Sequence, residues 1–410
     1  TGDGSGTWGT TTNTNLELIA EAWGSGSEGI TGTSHTITMA DGAADAARAY
    51  SLTLTGSITA LNTVTLAPNT VNKTWVIQNS SGYAVSLTQG TGANVVIPNG
   101  GIKMVVADGA GAGAAVTDVL DMTGGTGNVG LGSGNLGTAL TTGTDNVAIG
   151  EASLDAVTTG SDNTAVGDNA LGANTTAANN TAVGSSALLV NSTGVNNTAV
   201  GAAALDANTT ADENTAMGYA ALGANTTGSA NTAFGARALL LNTTTANNTA
   251  IGYYALTDNV GVYNTALGSQ ALFENTTGGS NVAIGASSLD ANTTGGNNTA
   301  VGTSALGANT TASDNTAVGL SSLAANTTGA SNVGLGAYAL DANTTASNNV
   351  GVGVHALGQT TTGASNTSIG TASMNDNTTG ASNTAVGMNA LNANTTADTN
   401  VAIGMNSMAA

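Results

Sequence analysis

A short motif, Asn-Thr-Ala-Val-Gly, recurs through most of the chain and limits what the chain can fold into more than any other feature. Its leading Asn recurs every 17 residues, except for one interval of 16 between Asn248 and Asn264. A degenerate copy starts at Asn128, eighteen residues before Asn146. The leading Asn lies at 146, 163, 180, 197, 214, 231, 248, 264, 281, 298, 315, 332, 349, 366, 383 and 400. So regular a period is typical of a solenoid, in which each unit is one coil that packs against its neighbours.

The unit reads Asn-Thr-Ala-Val-Gly-x-x-Ala-Leu-x-Ala-Asn-Thr-Thr-Gly-x-x, and its residues are numbered here as positions 1 to 17. Helices are disfavoured because Gly and the Asn/Thr clusters interrupt every unit before a long helix could form. Two short apolar segments, around positions 4 and 9, predict two strands and two turns per coil. The expected fold class is therefore all-β, with a parallel β-solenoid over residues 146–410.

Several positions of the unit are nearly invariant, and stacking turns each of them into a ladder. Position 4 is always apolar, and position 9 is Leu except at Met374 and Met408. Position 5 is always Gly from Gly150 to Gly404, which indicates a backbone shape or a close approach that excludes a Cβ. Asn at positions 1 and 12 predicts amide ladders that satisfy turn groups. The predicted ladders include Val166, Val183, Val200, Leu171, Leu188, Leu205, Gly167, Gly184, Gly201, Asn163, Asn180 and Asn197.

The apolar content of the chain is made mostly of small side chains, which affects how many chains the fold needs. Hydrophobic residues make up 40% of the sequence but aromatic residues only 3%. A single coil therefore buries little area to offset its ordering entropy. Ala and Gly at positions 3, 5 and 8 permit close contact between sheets, so we predict a homotrimer. A single-chain solenoid is the alternative.

Two units carry a Val-Ala-Ile-Gly core, Asn146-Val147-Ala148-Ile149-Gly150 and Asn281-Val282-Ala283-Ile284-Gly285. This core resembles the repeats of trimeric autotransporter adhesin heads, which implies left-handed parallel β-rolls assembled as trimers. The period here is longer, with an inserted Asn-Thr-Thr-Gly turn. Long arrays of this variant resemble those of bacteriophage tail fibres, and the resemblance covers residues 128–410.

The sequence before the repeats divides into three parts, followed by the array of 146–410. Residues 1–35 predict an attachment segment, with a short helix through Leu16, Ile19 and Trp23 capped by Asn13 or Asn15. Residues 36–121 alternate polar and apolar residues and predict a small β-sandwich-like module. Residues 122–145 hold the junction and the degenerate first repeat, with Asp118–Gly127 as the linker. The segment 2–22 is similar to the start of many phage tail-fibre proteins, which implies docking on a baseplate or tail protein.

The charge balance excludes several classes of partner. The formal net charge is −20, with four basic residues in 410. Nucleic acid and anionic membrane surfaces need basic residues, so neither is an expected partner. No apolar run is long enough for membrane insertion, and there is no cysteine. No cofactor and no metal are predicted.

Candidate catalytic groups are sparse, so no catalytic residue is predicted. His35 and His355 lie in unrelated parts of the chain. Four carboxylates share position 10 but belong to coils that are not adjacent, which favours a solvated face over an acid pair. They are Asp155, Asp206, Asp290 and Asp341. A polysaccharide depolymerase is the enzymatic alternative, and ice binding by ranks of Thr in the turns is another minor one.

Six of the seven aromatic residues of the array lie between residues 219 and 273, around the 16-residue unit, together with Arg237. Aromatic rings and Arg are common in contact surfaces. The possible contact patch is therefore Tyr219, Phe234, Arg237, Tyr253, Tyr254, Tyr263 and Phe273. The other interpretation is that these larger side chains repack the coil that lacks one turn residue.

Together these features predict the shaft of a phage tail fibre, located in the virion. The N-terminal module is expected to attach to the virion, and the shaft to project a host-recognition element for adsorption. We expect the tip that binds the host cell-surface receptor to lie outside this chain. The alternative is the head of a bacterial trimeric surface adhesin, located at the cell surface.

Overall fold

The computed structural model describes residues 16–39, 45–118, 127–132, 134–136 and 140–408. These residues form one helix, over 16–22, and otherwise strands, turns and two short 3₁₀ helices, Ala46–Arg48 and Gly111–Gly113. Contacts divide the chain into two compact units, Thr1–Asp168 and Asn169–Ala410. The predicted all-β fold class is confirmed.

The N-terminal module contains two sheets. Its nine strands are β1 (Ser25–Ile30), β2 (Ser34–Thr38), β3 (Ser51–Gly56), β4 (Asn62–Ala67), β5 (Asn72–Ser80), β6 (Val85–Thr88), β7 (Val95–Ile97), β8 (Ile102–Asp108) and β9 (Val116–Asp118). One sheet has the order β1-β3-β5-β8-β9 and the other β2-β4-β6-β7. The first strand begins at Ser25, ahead of the expected module boundary at residue 36.

The chain of this module winds between the two sheets. Strands β1, β3 and β5 pair in parallel, and so do β2, β4 and β6, so that each turn of chain adds one strand to each sheet. Strand β7 then pairs antiparallel with β6 in one sheet, and in the other sheet β8 pairs antiparallel with β5 and with β9. Alternating residues such as Leu52, Leu54, Val64 and Trp75 fill a common core. Alternation reveals which side chains face inward but not the direction of the strands, so the parallel winding was not predicted.

The short helix carries exposed apolar side chains. Leu16 is 59% exposed and Ile19 is 57% exposed. Trp23 lies just after the helix, and its ring stacks on that of Tyr50 with 6.5 Å between centroids. The expected caps, Asn13 and Asn15, lie outside the described residues, as do residues 119–126 of the expected linker.

The array forms a parallel sheet of seventeen strands in chain order. The strands are β10 (Val129–Leu131), β11 (Val147–Ile149), β12 (Thr164–Val166), β13 (Thr181–Val183), β14 (Thr198–Val200), β15 (Thr215–Met217), β16 (Thr232–Phe234), β17 (Thr249–Ile251), β18 (Thr265–Leu267), β19 (Val282–Ile284), β20 (Thr299–Val301), β21 (Thr316–Val318), β22 (Val333–Leu335), β23 (Val350–Val352), β24 (Thr367–Ile369), β25 (Thr384–Val386) and β26 (Val401–Ile403). Each strand covers positions 2 to 4, and the predicted β-solenoid is confirmed.

Each coil has one strand, so the predicted second strand around position 9 is wrong. Positions 6 to 11 form turns instead. The Leu or Met at position 9 has φ between 49° and 55°, the left-handed conformation, in every unit from Leu154 to Met408. A strand cannot contain that conformation. The segment is nevertheless bonded between coils, for example by the Leu188 N–H donating to the Ala204 carbonyl at 3.0 Å.

The small residues, not the large ones, point into the coil from the strand. Ala182 at position 3 and Ala187 at position 8 are fully buried, as is Leu188 at position 9. Where position 3 is Gly334, an added Cβ would lie 3.4 Å from Leu323 Cδ1 of the previous coil, so position 3 faces the leucine ladder. The interior is therefore too narrow for Val or Ile at position 3.

Position 4 consequently lies on the outer face of the sheet, where Ile251 is 37% exposed and Leu335 is 43% exposed. The position-4 ladder, which includes Val166, Val183 and Val200, does stack in register, but outside the coil. The surface expected to meet other chains, at positions 3 and 8, is buried within the single chain. That part of the trimer argument is wrong.

Candidate functional site

The glycine ladder at position 5 meets both conditions that the sequence suggested. From Gly150 to Gly387 its φ lies between 130° and 141°, where L side chains are strained. A Cβ added at Gly184 would also lie 2.6 Å from the carbonyl carbon of Gly201 in the next coil. The Gly201 N–H donates to the Val183 carbonyl at 2.7 Å. Close stacking and backbone conformation thus both require glycine here.

The asparagine ladder at position 1 links each coil to the next through its side chains. Asn298 is fully buried, and its Oδ1 accepts the backbone N–H of Asn315 at 3.0 Å. Its Nδ2 donates to the Ala312 carbonyl, at position 15 of the same coil, at 2.8 Å. Each amide therefore accepts from a backbone N–H of the next coil and donates to a backbone carbonyl of its own coil.

A second amide ladder runs at position 12. Asn309 donates through Nδ2 to Asn292 Oδ1 at 2.9 Å and to the Ala312 carbonyl at 3.0 Å. Both ladders therefore meet at the carbonyl of position 15. Thr360 replaces one amide, and there Asn377 Nδ2 reaches Thr360 Oγ1 at 3.5 Å. The amide ladders that the sequence predicted are present.

The Thr at position 13 also bonds along the array. Thr293 Oγ1 donates to the Thr310 carbonyl at 3.0 Å, and Thr327 Oγ1 to the Thr344 carbonyl at 3.0 Å. These hydroxyl protons are directed at the protein and not at water. The threonines of position 13 therefore do not offer free hydroxyl protons to ice.

Five members of the predicted contact patch form one connected cluster. The Arg237 guanidinium lies 5.8 Å from the ring centroid of Tyr219 and 5.3 Å from that of Tyr254. Arg237 Nη1 also donates to the Tyr254 hydroxyl. Tyr254 packs edge-on against Tyr253, with 4.4 Å between centroids, and against Phe273 at 5.9 Å. We call these five residues the aromatic cluster.

The other two members of the predicted patch lie elsewhere on the coil. Phe234 is at position 4 on the outer sheet face, where it pairs with Met217 and Ile251. Tyr263 is at position 17, next to the start of β18, and is 63% exposed. The missing residue of the 16-residue unit is in the turn, where Asn259 Oδ1 accepts the Gly261 N–H at 3.1 Å. The aromatic cluster occupies positions 6, 7 and 10, outside that turn.

Each of the four aspartates at position 10 lies next to a glycine of the following coil, which was not predicted. In each case position 10 of the next coil is Gly: Gly172, Gly223, Gly307 and Gly358. An added Cβ at Gly307 would lie 3.3 Å from Asp290 Oδ1, and one at Gly223 would lie 3.4 Å from Asp206 Oδ1. The carboxylate thus covers the space above a glycine, and the 17-residue offset between Asp and Gly was the signal available in the sequence.

Three of these aspartates are half-buried, unlike the solvated face that was expected. Burial raises the pKa of Asp206, Asp290 and Asp341 above the ordinary value of 3.8. Hydrogen bonding to the backbone opposes the shift in all three, and Glu274 adds to it at Asp290. Asp155 is exposed.

His355 borders a shallow depression of about 460 Å³ that Asp341, Gln359 and Asn375 also line. Its ring stacks on that of Tyr338, with 5.0 Å between centroids. His35, in the N-terminal module, lies 2.9 Å from Glu28 Oε1. Within the described ranges, no group of three or more His, Cys, Asp or Glu side chains is placed to hold a metal ion.

No described helix is both long and apolar enough to cross a membrane. No protein-family model, curated protein or solved structure matches the chain.

Proposed function

We propose that this chain is the structural shaft of a bacteriophage tail fibre, a spacer without catalytic activity. The observation that carries the proposal is the array itself, in which consecutive coils pair in parallel and in register with the strand of the next coil. Five sets of hydrogen bonds join successive coils: the strand backbone, the position-9 segment, the two amide ladders and the position-13 threonines. Bonds spread over many coils resist bending.

The same proposal makes the shaft a homotrimer, held through the outer face of the sheet. Thr at position 2 and an apolar side chain at position 4 share this face, since they flank the inward Ala. An apolar row such as Ile284, Val301 and Val318 repeats along the array at the strand spacing of about 4.8 Å. These three side chains are partly exposed, and long apolar rows that reach the surface typically mark contact surfaces.

The trimer is tested by making this face polar. The triple change Ile284→Thr, Val301→Thr and Val318→Thr keeps β-branched residues in the strands, so the coils still form. Native mass spectrometry of the parent chain should show a trimer. The trimer of the triple variant should already dissociate at a protein concentration at least tenfold higher than that at which the parent trimer dissociates. The matched control is Val190→Thr, Val260→Thr and Val262→Thr, three exposed changes off the sheet face. A monomeric parent chain contradicts the trimer.

In the proposed fibre, the N-terminal module docks on a baseplate or tail protein, and the array projects a host-recognition element. Antibodies against the array should decorate fibres at the tail of phage particles in electron micrographs. Labelling of bacterial cell surfaces instead would support the alternative, a trimeric surface adhesin head, and would contradict the virion location.

A further inference from the structure

The side chains of the aromatic cluster contact one another across four coils, yet two of its rings remain exposed. Tyr219 is 55% exposed and Tyr253 is 56% exposed, whereas the ladder positions of neighbouring coils are buried. Aromatic residues make up only 3% of this chain, yet four of them gather here around Arg237. The shortened turn does not account for the cluster, which occupies other positions of the coil. The exposed faces of Tyr219 and Tyr253 are therefore available to a partner at the surface.

The cluster combines apolar ring faces with one fixed group of hydrogen-bond donors. Arg237 is the only basic residue of the array. Two tyrosine rings and the Tyr254 hydroxyl hold its guanidinium in place. A guanidinium has five N–H donors, and the single Tyr254 hydroxyl cannot accept all of them. Donors therefore remain for a ligand. Rings that pack on C–H faces, next to donors that bind hydroxyls, suit a sugar.

The spacing of the cluster also suits a chain of sugars. Tyr219, Arg237, Tyr254 and Phe273 come from four successive coils. The Arg237 N–H donates to the Tyr219 carbonyl, and the Tyr254 N–H to the Ala236 carbonyl, which fixes the register between coils. Successive coils are about 4.8 Å apart. The rise per sugar ring of an extended linear polysaccharide is close to this distance, so neighbouring sugar rings can lie over neighbouring coils.

The net charge of the chain and the small size of the cluster limit which kinds of partner it can bind. A net charge of −20 repels polyanions, which disfavours acidic polysaccharides. A stable protein interface takes about 20 to 30 residues on each side, many more than the five in the cluster. We propose that the aromatic cluster binds a linear neutral polysaccharide along the axis of the array. This site is independent of the tail-fibre proposal.

The test is affinity electrophoresis of the full chain in native gels that contain galactomannan, hydroxyethylcellulose or dextran. At least one of these polymers should retard the parent chain. The double change Tyr219→Ala and Tyr253→Ala removes two exposed rings and should weaken the apparent affinity at least tenfold. Arg237→Lys keeps the charge but loses the planar donor group, and should also weaken binding. Tyr338→Ala is the matched control, an array tyrosine outside the cluster, and should leave retardation unchanged.

Three results would overturn the proposal. The first is no retardation of the parent chain by any of the three polymers. The second is an equal loss of retardation in Tyr338→Ala. The third is a change of oligomeric state in the double variant, measured by native mass spectrometry, which would assign the cluster to contacts between copies of the chain. Hydrogen exchange of the array in each variant confirms that the coils are intact.

Discussion

Leu306 shows how backbone conformation selects the residue type at position 9. It is fully buried and has φ of 53°. Val and Ile carry a branched Cβ that crowds the backbone in the left-handed region. This explains why position 9 holds Leu and Met but no Val or Ile, whereas position 4, within the strand, holds Val and Ile freely.

Changing Leu306→Ile should therefore be costly although the side-chain volume is kept. We expect a loss of about 1 to 3 kcal/mol in the free energy of unfolding, from backbone strain alone. Leu306→Met should cost less than about 1.5 kcal/mol, because Met is unbranched. Denaturant unfolding measures both. Equal losses for Ile and Met would show that the left-handed backbone does not decide the residue.

Asn298 should be a second sensitive residue. In Asn298→Ala the buried N–H of Asn315 loses its acceptor, and the Ala312 carbonyl loses one of its two amide donors. A buried donor without a partner costs about 1 to 3 kcal/mol. Thr311→Ala, an exposed change in the same coil, is the control and should leave the unfolding midpoint nearly unchanged. Equal effects of the two changes would contradict the role of the ladder.

At the scale of elements, the period and the strand at positions 2 to 4 were predictable because 17-residue spacing and tight-turn residues are explicit in the sequence. Two things were not. Whether Ala182 or Val183 faces inward depends on a shift of one residue, which reverses every side chain of a strand. The turn around Leu188 looks like a strand because a single Leu between small residues gives no sign of its left-handed φ.

The candidate site was predictable only in part, for a related reason. Residues that share a position number, such as Arg237 and Tyr254, stack by the period alone. The separation of Phe234 from them follows from its place on the outer face of the strand, which the sequence did not reveal. The contacts between the position-10 aspartates and glycines were also predictable from the period, since each glycine follows its aspartate by 17 residues.

The half-buried aspartates at position 10 should make the free energy of unfolding depend on pH. Because burial raises the pKa of Asp206, Asp290 and Asp341, the folded chain binds protons more readily than the unfolded chain. The free energy of unfolding should therefore increase as the pH falls from neutrality through the raised pKa values, and the gain should be complete below the ordinary value of 3.8.

The triple variant Asp206→Asn, Asp290→Asn and Asp341→Asn should melt at a higher temperature than the parent chain at pH 7. This difference should shrink as the pH is lowered toward 4. Asp155→Asn, which changes an exposed residue at the same position, serves as the control in differential scanning calorimetry. A difference that stays constant with pH would show that desolvation of these carboxyls is not its source.

At the scale of the whole molecule, the number of coils should set the length of the array. Deleting residues 281–314 removes two 17-residue units and joins Ser280 directly to Asn315. The shortened chain should fold, and the array should lose about 10 Å of length, or about 4.8 Å per coil. Small-angle scattering measures the change in the largest dimension.

Deleting residues 281–288, about half a coil, is the contrasting case. It places strands opposite turns and should give an aggregated product, because the exposed strand edges remain unpaired. Equal tolerance of the two deletions would contradict a length that is counted in whole coils.

The short turn at Asn259–Gly261 has a practical consequence. The coil that contains it has lost a residue, yet strands β17 and β18 still pair Thr249 with Thr265 and Ile251 with Leu267. Pairing is thus insensitive to the length of this turn. Foreign peptides grafted into equivalent turns of other coils would be displayed in a row at a spacing of whole multiples of about 4.8 Å, which would make the array a scaffold for placing epitopes or enzymes at chosen separations.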